Sequence, residues 1–244
     1  YELDMQEAAA DAINYGYDVS YNSFVANWDQ SLETQQLQNS INEHYDIIVN
    51  DPVATTGLDP IIEAAQDAGI IYINADCAYM STDVDVLNIL TDQEYLGYKT
   101  GTYAGEALGE GAKVVMIAAL EGNQANTDRQ RGFEKAIAEL DVNKDGVVTR
   151  YIVLSNPPGV GATAFNFALN LFEGKELKDG VFAEGFEDTH QIWIQSKVCY
   201  TDQDVVDGTT IDGESIEDYA NSYEAGDSIT FWLTKDEVAQ TYFN

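Results

Sequence analysis

Between Glu2 and Ser155 the chain alternates short apolar runs of strand length with longer segments whose apolar residues recur at helical spacing. Parallel strands buried on both faces read as near-continuous apolar runs, and they need long crossovers, usually helices, to join them. The alternation therefore confines this stretch to an α/β architecture, a parallel sheet covered by helices. It predicts strands at 17–22, 45–50, 70–75, 86–90, 113–119 and 147–154. Helices are expected at 2–15, 30–43, 57–68, 93–109, 126–139 and 160–173, with Gly16, Gly69 and Gly174 placed as C-terminal stops. The first element is a helix where a doubly wound domain commonly begins with a strand, so a first strand is expected outside this sequence. From 204 to 228 the texture becomes acidic and rich in Gly and Ser, and no role follows for it.

With 244 residues, 45% of them hydrophobic and 11% aromatic, the chain can fill one large or two medium cores. Forty-three acidic residues against 11 basic ones give a net charge of −32. Such a surface repels the phosphates of nucleic acids and of anionic membranes. The plain reading of the remainder is a solvated acidic face. Cys77 and Cys199 are too few and too distant for a zinc pattern or a disulfide framework, and both read as small buried residues. No apolar run reaches about 18 residues, and the chain opens without a basic-then-apolar leader.

Ligands of open α/β sheets bind outside the carboxyl ends of the strands. Those ends are Asn22-Ser23, Asn50-Asp51, Asn74 with Asp76, Thr91-Asp92 and Glu121 to Gln124, all of them polar. Carboxylates and amides facing one cleft suit a ligand rich in hydroxyls, because each hydroxyl both donates and accepts. Asp76, Arg129 and Asn123 are the candidate hydrogen-bonding residues, Arg129 offering a rigid fork that bridges neighbouring oxygens. Asp51 and Asp92 read instead as turn or helix-cap residues. Phe24, Trp28 and Tyr79 follow strand ends, and of these Trp28 and Tyr79 are the candidates for stacking on a sugar's C–H face.

Asp141, Asn143, Asp145 and Gly146 copy the first half of a calcium loop, but position twelve is Ile152, which cannot ligate; an Asp-Gly turn into a strand needs no metal. His44 and His190 have no Ser or Cys nucleophile at a recognisable spacing. The glycines from Gly97 to Gly111 fit neither phosphate-binding pattern, and their spacing within a helix predicts close packing. No catalytic constellation, resident metal or cofactor is expected.

These residues resemble the bacterial sugar-binding proteins of ABC transporters, the ribose- and galactose-binding type. The likeness runs over 4–139, through Tyr45-Asp46-Ile47-Ile48-Val49, Asp51-Pro52, Ile61 to Ile73 leading to Asp76, Thr91-Asp92 with Gly97, Gly111 to Val115, and Arg129 with Gly132-Phe133. It resumes at Asn156 to Ala162, Leu171 to Leu177 and Thr201 to Val205. The resemblance implies an α/β fold of two doubly wound parallel-sheet domains, the periplasmic binding protein type I kind. Its lobes would be 1–120 and 121–205, with 206–244 unassigned. The second lobe looks incomplete: about twenty residues separate Phe133 from Leu154 where about two more βαβ units of roughly 30 residues belong. Either residues are missing there or the lobe is a reduced form.

In that family the Asp matching Asp76 and the Arg matching Arg129 hold sugar hydroxyls. Cys77 stands where an Arg commonly follows the binding Asp, and Gly159 where an amide-bearing residue is common, so the ligand is expected to be a different sugar, a polyol or another small polar molecule. The resemblance further implies a non-enzymatic receptor that partners an ABC permease. It would work in the periplasm or outside the cell, and touch the membrane only through a lipid anchor outside this sequence. An effector-sensing domain of a sugar-responsive regulator shares the fold and is the alternative. Acidity and the lack of a helix-turn-helix pattern weigh against it.

Overall fold

A computed structural model describes residues 2–108, 124–139, 159–195, 210–211, 214–215 and 232–244. The predicted strands at 113–119 and 147–154, Asn123 and the calcium-like stretch at 141–146 lie outside the described residues.

The chain divides into two compact units. The first gathers Tyr1–Thr91, Pro157–Ile194 and Thr230–Asn244. At its centre is a parallel sheet of β1 (Ile47–Asn50), β2 (Ile71–Ala75), β3 (Leu87–Thr91) and β4 (Gln191–Ile194), in that spatial order. Pairing is in register from Ile47↔Ile71 to Asn50↔Asn74. It continues through Asn74↔Asn88 and Asn88↔Gln191.

Alternate residues of each strand serve opposite faces. On one face Ile48 and Tyr72 join Leu37 and Ile41 of α2 (Gln30–Asn42) and Ile61, Ile62 and Ala65 of α3 (Asp59–Asp67). On the other, Ile73, Ala75, Ile89, Ile192 and Ile194 meet Val160, Ala164, Phe167 and Ala168 of α6 (Val160–Phe172). α6 is buried all round because α1 (Glu2–Asn14) packs on its far side through Met5, Ala8 and Ala12, and α7 (Lys235–Tyr242) through Val238. Helix ends follow local chemistry. Asp29 Oδ1 accepts from Ser31 N and Leu32 N at the start of α2, and Thr234 with Glu237 forms a capping box at α7. Gly16, Gly69 and Gly174 take positive φ of 93°, 78° and 75°, as stop positions require.

The second unit spans Asp92–Asn156 and Gln195–Ile229. Within it α4 (Gln93–Leu108) crosses α5 (Gln124–Glu139), and a short antiparallel pair joins β5 (Thr210–Ile211) to β6 (Glu214–Ser215). The crossing is close because Gly97 and Gly132 lack side chains: a Cβ on Gly97 would lie 2.0 Å from the Arg129 carbonyl oxygen, and one on Gly132 2.0 Å from that of Glu94. Arg131 reinforces it with a 2.7 Å ion pair to Glu94 of α4, while a second pair to Asp128 stays within α5.

Two expectations need correction. Residues 17–22 alternate as a strand does, with Tyr17, Val19 and Tyr21 turned toward α1 and α6, yet they join no ladder, and among the described strands β1 stands at the sheet edge. Alternation reports side-chain burial, whereas a strand needs a paired backbone. Residues 191–194 and 235–242 form β4 and α7, elements the pattern along the chain does not predict. The two compact units group α6, β4 and α7 with the first unit and α4 with the second. The cause is long-range pairing, since β4 completes the sheet beside β3, about a hundred residues earlier.

Candidate functional site

At the carboxyl ends of β1 and β2, three side chains converge. Asn50 and Asn74 are register partners, so the chain leaves both strands at one level. β2 stops in a tight turn, with Cys77 N donating to the Ala75 carbonyl at 2.8 Å and Asp76 N donating to Ile89 O at 3.1 Å. Asp76 carries φ +65°, a costly conformation for a residue with a Cβ and one that concentrates at functional sites. The result brings one carboxylate oxygen each of Asp51 and Asp76 and the Cys77 sulfur within 4.8 Å of one another.

Electrostatics follow from that crowding. Surrounding protein and the Asp76 charge push the Asp51 carboxyl up to about 6, although Asp51 keeps a solvent-exposed edge. Burial and the same two carboxylates push the Cys77 thiol up to about 12, so it stays a protonated, weak hydrogen-bond donor. The trio has the spacing to share a cation, and without one the two carboxylates accept hydrogen bonds while the thiol donates. Hydrogen bonding is the chemistry it serves best. Asp51, read from sequence as a turn residue, is thereby drawn beside Asp76. The strand-end rule already named Asn50-Asp51, and the strand register was the missing information.

The remaining candidates fall in several environments. Arg129 lies on α5 in the second unit, where its Nε donates to Gln93 Oε1 at 2.6 Å. Trp28 is 86% exposed in the loop before α2, where it and Asn27 both take positive φ, and Phe24 nearby is exposed as well. Tyr79 is not available for stacking: it is fully buried, its hydroxyl donating to Asp59 Oδ1 at 2.7 Å and accepting from Leu58 N at 2.6 Å. Those two bonds anchor the start of α3, and a ring so enclosed is core. Asp92 is the cap it was read to be, accepting from Tyr95 N at 2.8 Å, with its carboxyl raised by burial. Among the described residues no helix is long and apolar enough to cross a membrane.

Comparison with known proteins agrees with this architecture. A family profile described as "Periplasmic binding protein domain" matches residues 1–149. The ribose import binding protein RbsB of Salmonella typhimurium is 27% identical over 143 residues, 58% of this chain and 45% of that protein. RbsB of Bacillus subtilis is 24% identical over 105 residues, 43% of this chain and 34% of the relative. The chain thus spans less than half the length of either relative. Among solved structures, an ABC transporter periplasmic solute-binding protein of Actinobacillus succinogenes with bound D-allose superposes with a TM-score of 0.51 at 21% identity, over 59% of this chain and 52% of that one. At that identity the likeness concerns the fold, and the fold is the type I one read from the sequence. The family match covers more than half of the chain: it belongs to the periplasmic binding protein domain family.

Proposed function

We propose that the protein is a sugar receptor: it captures a neutral monosaccharide or related polyol, leaves it chemically unchanged, and presents it to an ABC permease. The observation that carries this reading is the pairing of Asp51 with Asp76 at the carboxyl ends of β1 and β2, in a chain of this family. Paired carboxylates accept hydrogen bonds from adjacent sugar hydroxyls, and the Cys77 thiol adds a weak donor. In this reading Asp76, Arg129 and Asn123 bind hydroxyls, and the exposed Trp28 ring stacks on a sugar face. Support also comes from relatives named for ribose import and from the D-allose carried by the Actinobacillus protein. The setting proposed is the periplasm or cell exterior, with any membrane attachment through a lipid anchor beyond the residues given.

A thermal-shift panel of pentoses, hexoses, inositols and glycerol tests this directly. A true ligand at a hundred times its Kd stabilises by about 2.7 kcal/mol, an upward shift of several degrees. A flat panel, or turnover of a bound sugar, defeats the proposal.

A further inference from the structure

Behind the β1 and β2 strand ends a row of four amide side chains crosses the whole sheet: Asn50, Asn74, Asn88 and Gln191, each the register partner of the next. Three of the four bond to protein. Asn50 Nδ2 donates to Glu33 Oε1 at 2.9 Å. Asn88 Oδ1 accepts from Tyr79 N at 2.8 Å, while its Nδ2 donates to Thr189 O at 2.7 Å. Gln191 Oε1 accepts from Trp193 Nε1 at 3.1 Å, and its Nε2 donates to Thr189 Oγ1 at 3.0 Å. Asn74 is the exception: it is wholly buried, and both its Oδ1 and its Nδ2 lack a partner.

Two more unpartnered atoms come from the same place. Glu33 of α2, 3% exposed, uses Oε1 for Asn50 and for Val53 N at 3.2 Å, yet its Oε2 is buried without a bond. Tyr72, two residues before Asn74 on the same face of β2, has a buried hydroxyl without a bond. Burial and the Glu33 charge push that hydroxyl upward against the opposing pull of the Asn50 amide beside it, so it stays protonated and still needs an acceptor. Among the described residues, the buried side-chain polar atoms without partners are these four, from three residues facing one layer between α2 and the β1–β2 pair.

We infer that Glu33, Asn50, Tyr72 and Asn74 enclose a hydrated chamber that binds one or two internal waters. The balance of groups selects the occupant. Glu33 Oε2 and Asn74 Oδ1 require donors; Tyr72 OH and Asn74 Nδ2 require acceptors. Water supplies equal numbers of each, and buried waters make about three such bonds. A bare cation would face the two donors, and an anion the Glu33 carboxylate. Because Glu33 also holds Asn50 and Val53, on either side of Asp51, the bound water supports the turn that carries Asp51.

The test is a pair of near-isosteric variants on the intact chain, with a high-resolution crystal structure of the unmodified protein. If water fills the chamber, Asn74→Leu strands it against Glu33, and the melting temperature falls by about 3–6 °C. Tyr72→Phe removes a single donor and lowers it by about 2–3 °C. Density should show water within hydrogen-bond distance of the Asn74 amide. A rise in melting temperature for either variant, as expected when unmet polar groups are removed from a dry core, overturns the inference; so does density with Asn74 bonded to protein alone.

Discussion

The Asp51 and Asp76 carboxylates approach within 4.8 Å at the ends of neighbouring parallel strands, and the proximity of two like charges is what raises Asp51 beyond the effect of burial. A carboxyl whose folded pKa lies above its unfolded value near 3.8 favours folding most at low pH, and that contribution is lost as pH rises through about 6.

Asp51→Asn is therefore expected to stabilise the protein at pH 8 and to be close to neutral at pH 4. Because Asp51 reaches solvent, the gain at pH 8 is discounted to about 1 kcal/mol. Urea denaturation at the two pH values measures it, and an equal effect at both would show that Asp51 does not carry the repulsion.

Glu173 behaves in the opposite sense. Lys235 lies 2.8 Å from its Oε1, the Tyr17 hydroxyl donates to the same oxygen, and Lys175 lies 3.0 Å from Oε2; together they hold the carboxyl down at about 2. Its contribution is complete above the unfolded value of about 4.5 and disappears as pH falls toward 2. Lys235 itself is buried and lies 5.1 Å from the Tyr15 ring centre. Lys235→Met should cost about 2 kcal/mol at pH 7 and reduce the acid sensitivity between pH 4.5 and 2. Denaturation curves across that range would show an unchanged slope if the network contributes nothing.

Asp76→Ala and Arg129→Ala should each weaken sugar binding by about ten- to a hundredfold, the loss of one or two charge-assisted hydrogen bonds, with a much smaller effect on folding. Trp28→Ala should lower affinity with almost no change in melting temperature, because the ring is exposed. Titration calorimetry with the best ligand of the panel reads all three. Normal affinity in the three variants would move the site away from these residues.

Gly97→Ala tests the helix crossing in the second unit. The added methyl would meet the Arg129 carbonyl at 2.0 Å, backbone that has to shift, so a loss of about 1–3 kcal/mol is expected. A variant as stable as the parent in urea would show that the crossing is looser than described.

Local chemistry accounts for what the sequence determined unaided. The C-terminal ends of α1, α3 and α6 fall within a residue of their expected limits because glycines with positive φ follow them, and β1 to β3 emerge from runs such as Ile71-Tyr72-Ile73 that only a doubly covered sheet can bury. Asp76 was legible because it closes such a run. What the tertiary structure decided was every feature that depends on distant partners. β4 is four residues long, with no periodicity to distinguish it, and exists because β3 offers an edge. Tyr79 follows a strand end as a stacking residue would, but Leu58 and Asp59, some twenty residues away, turn it into core. Asp51 gained its place beside Asp76 from the Asn50↔Asn74 register, since one-dimensional spacing cannot say which strand ends become neighbours.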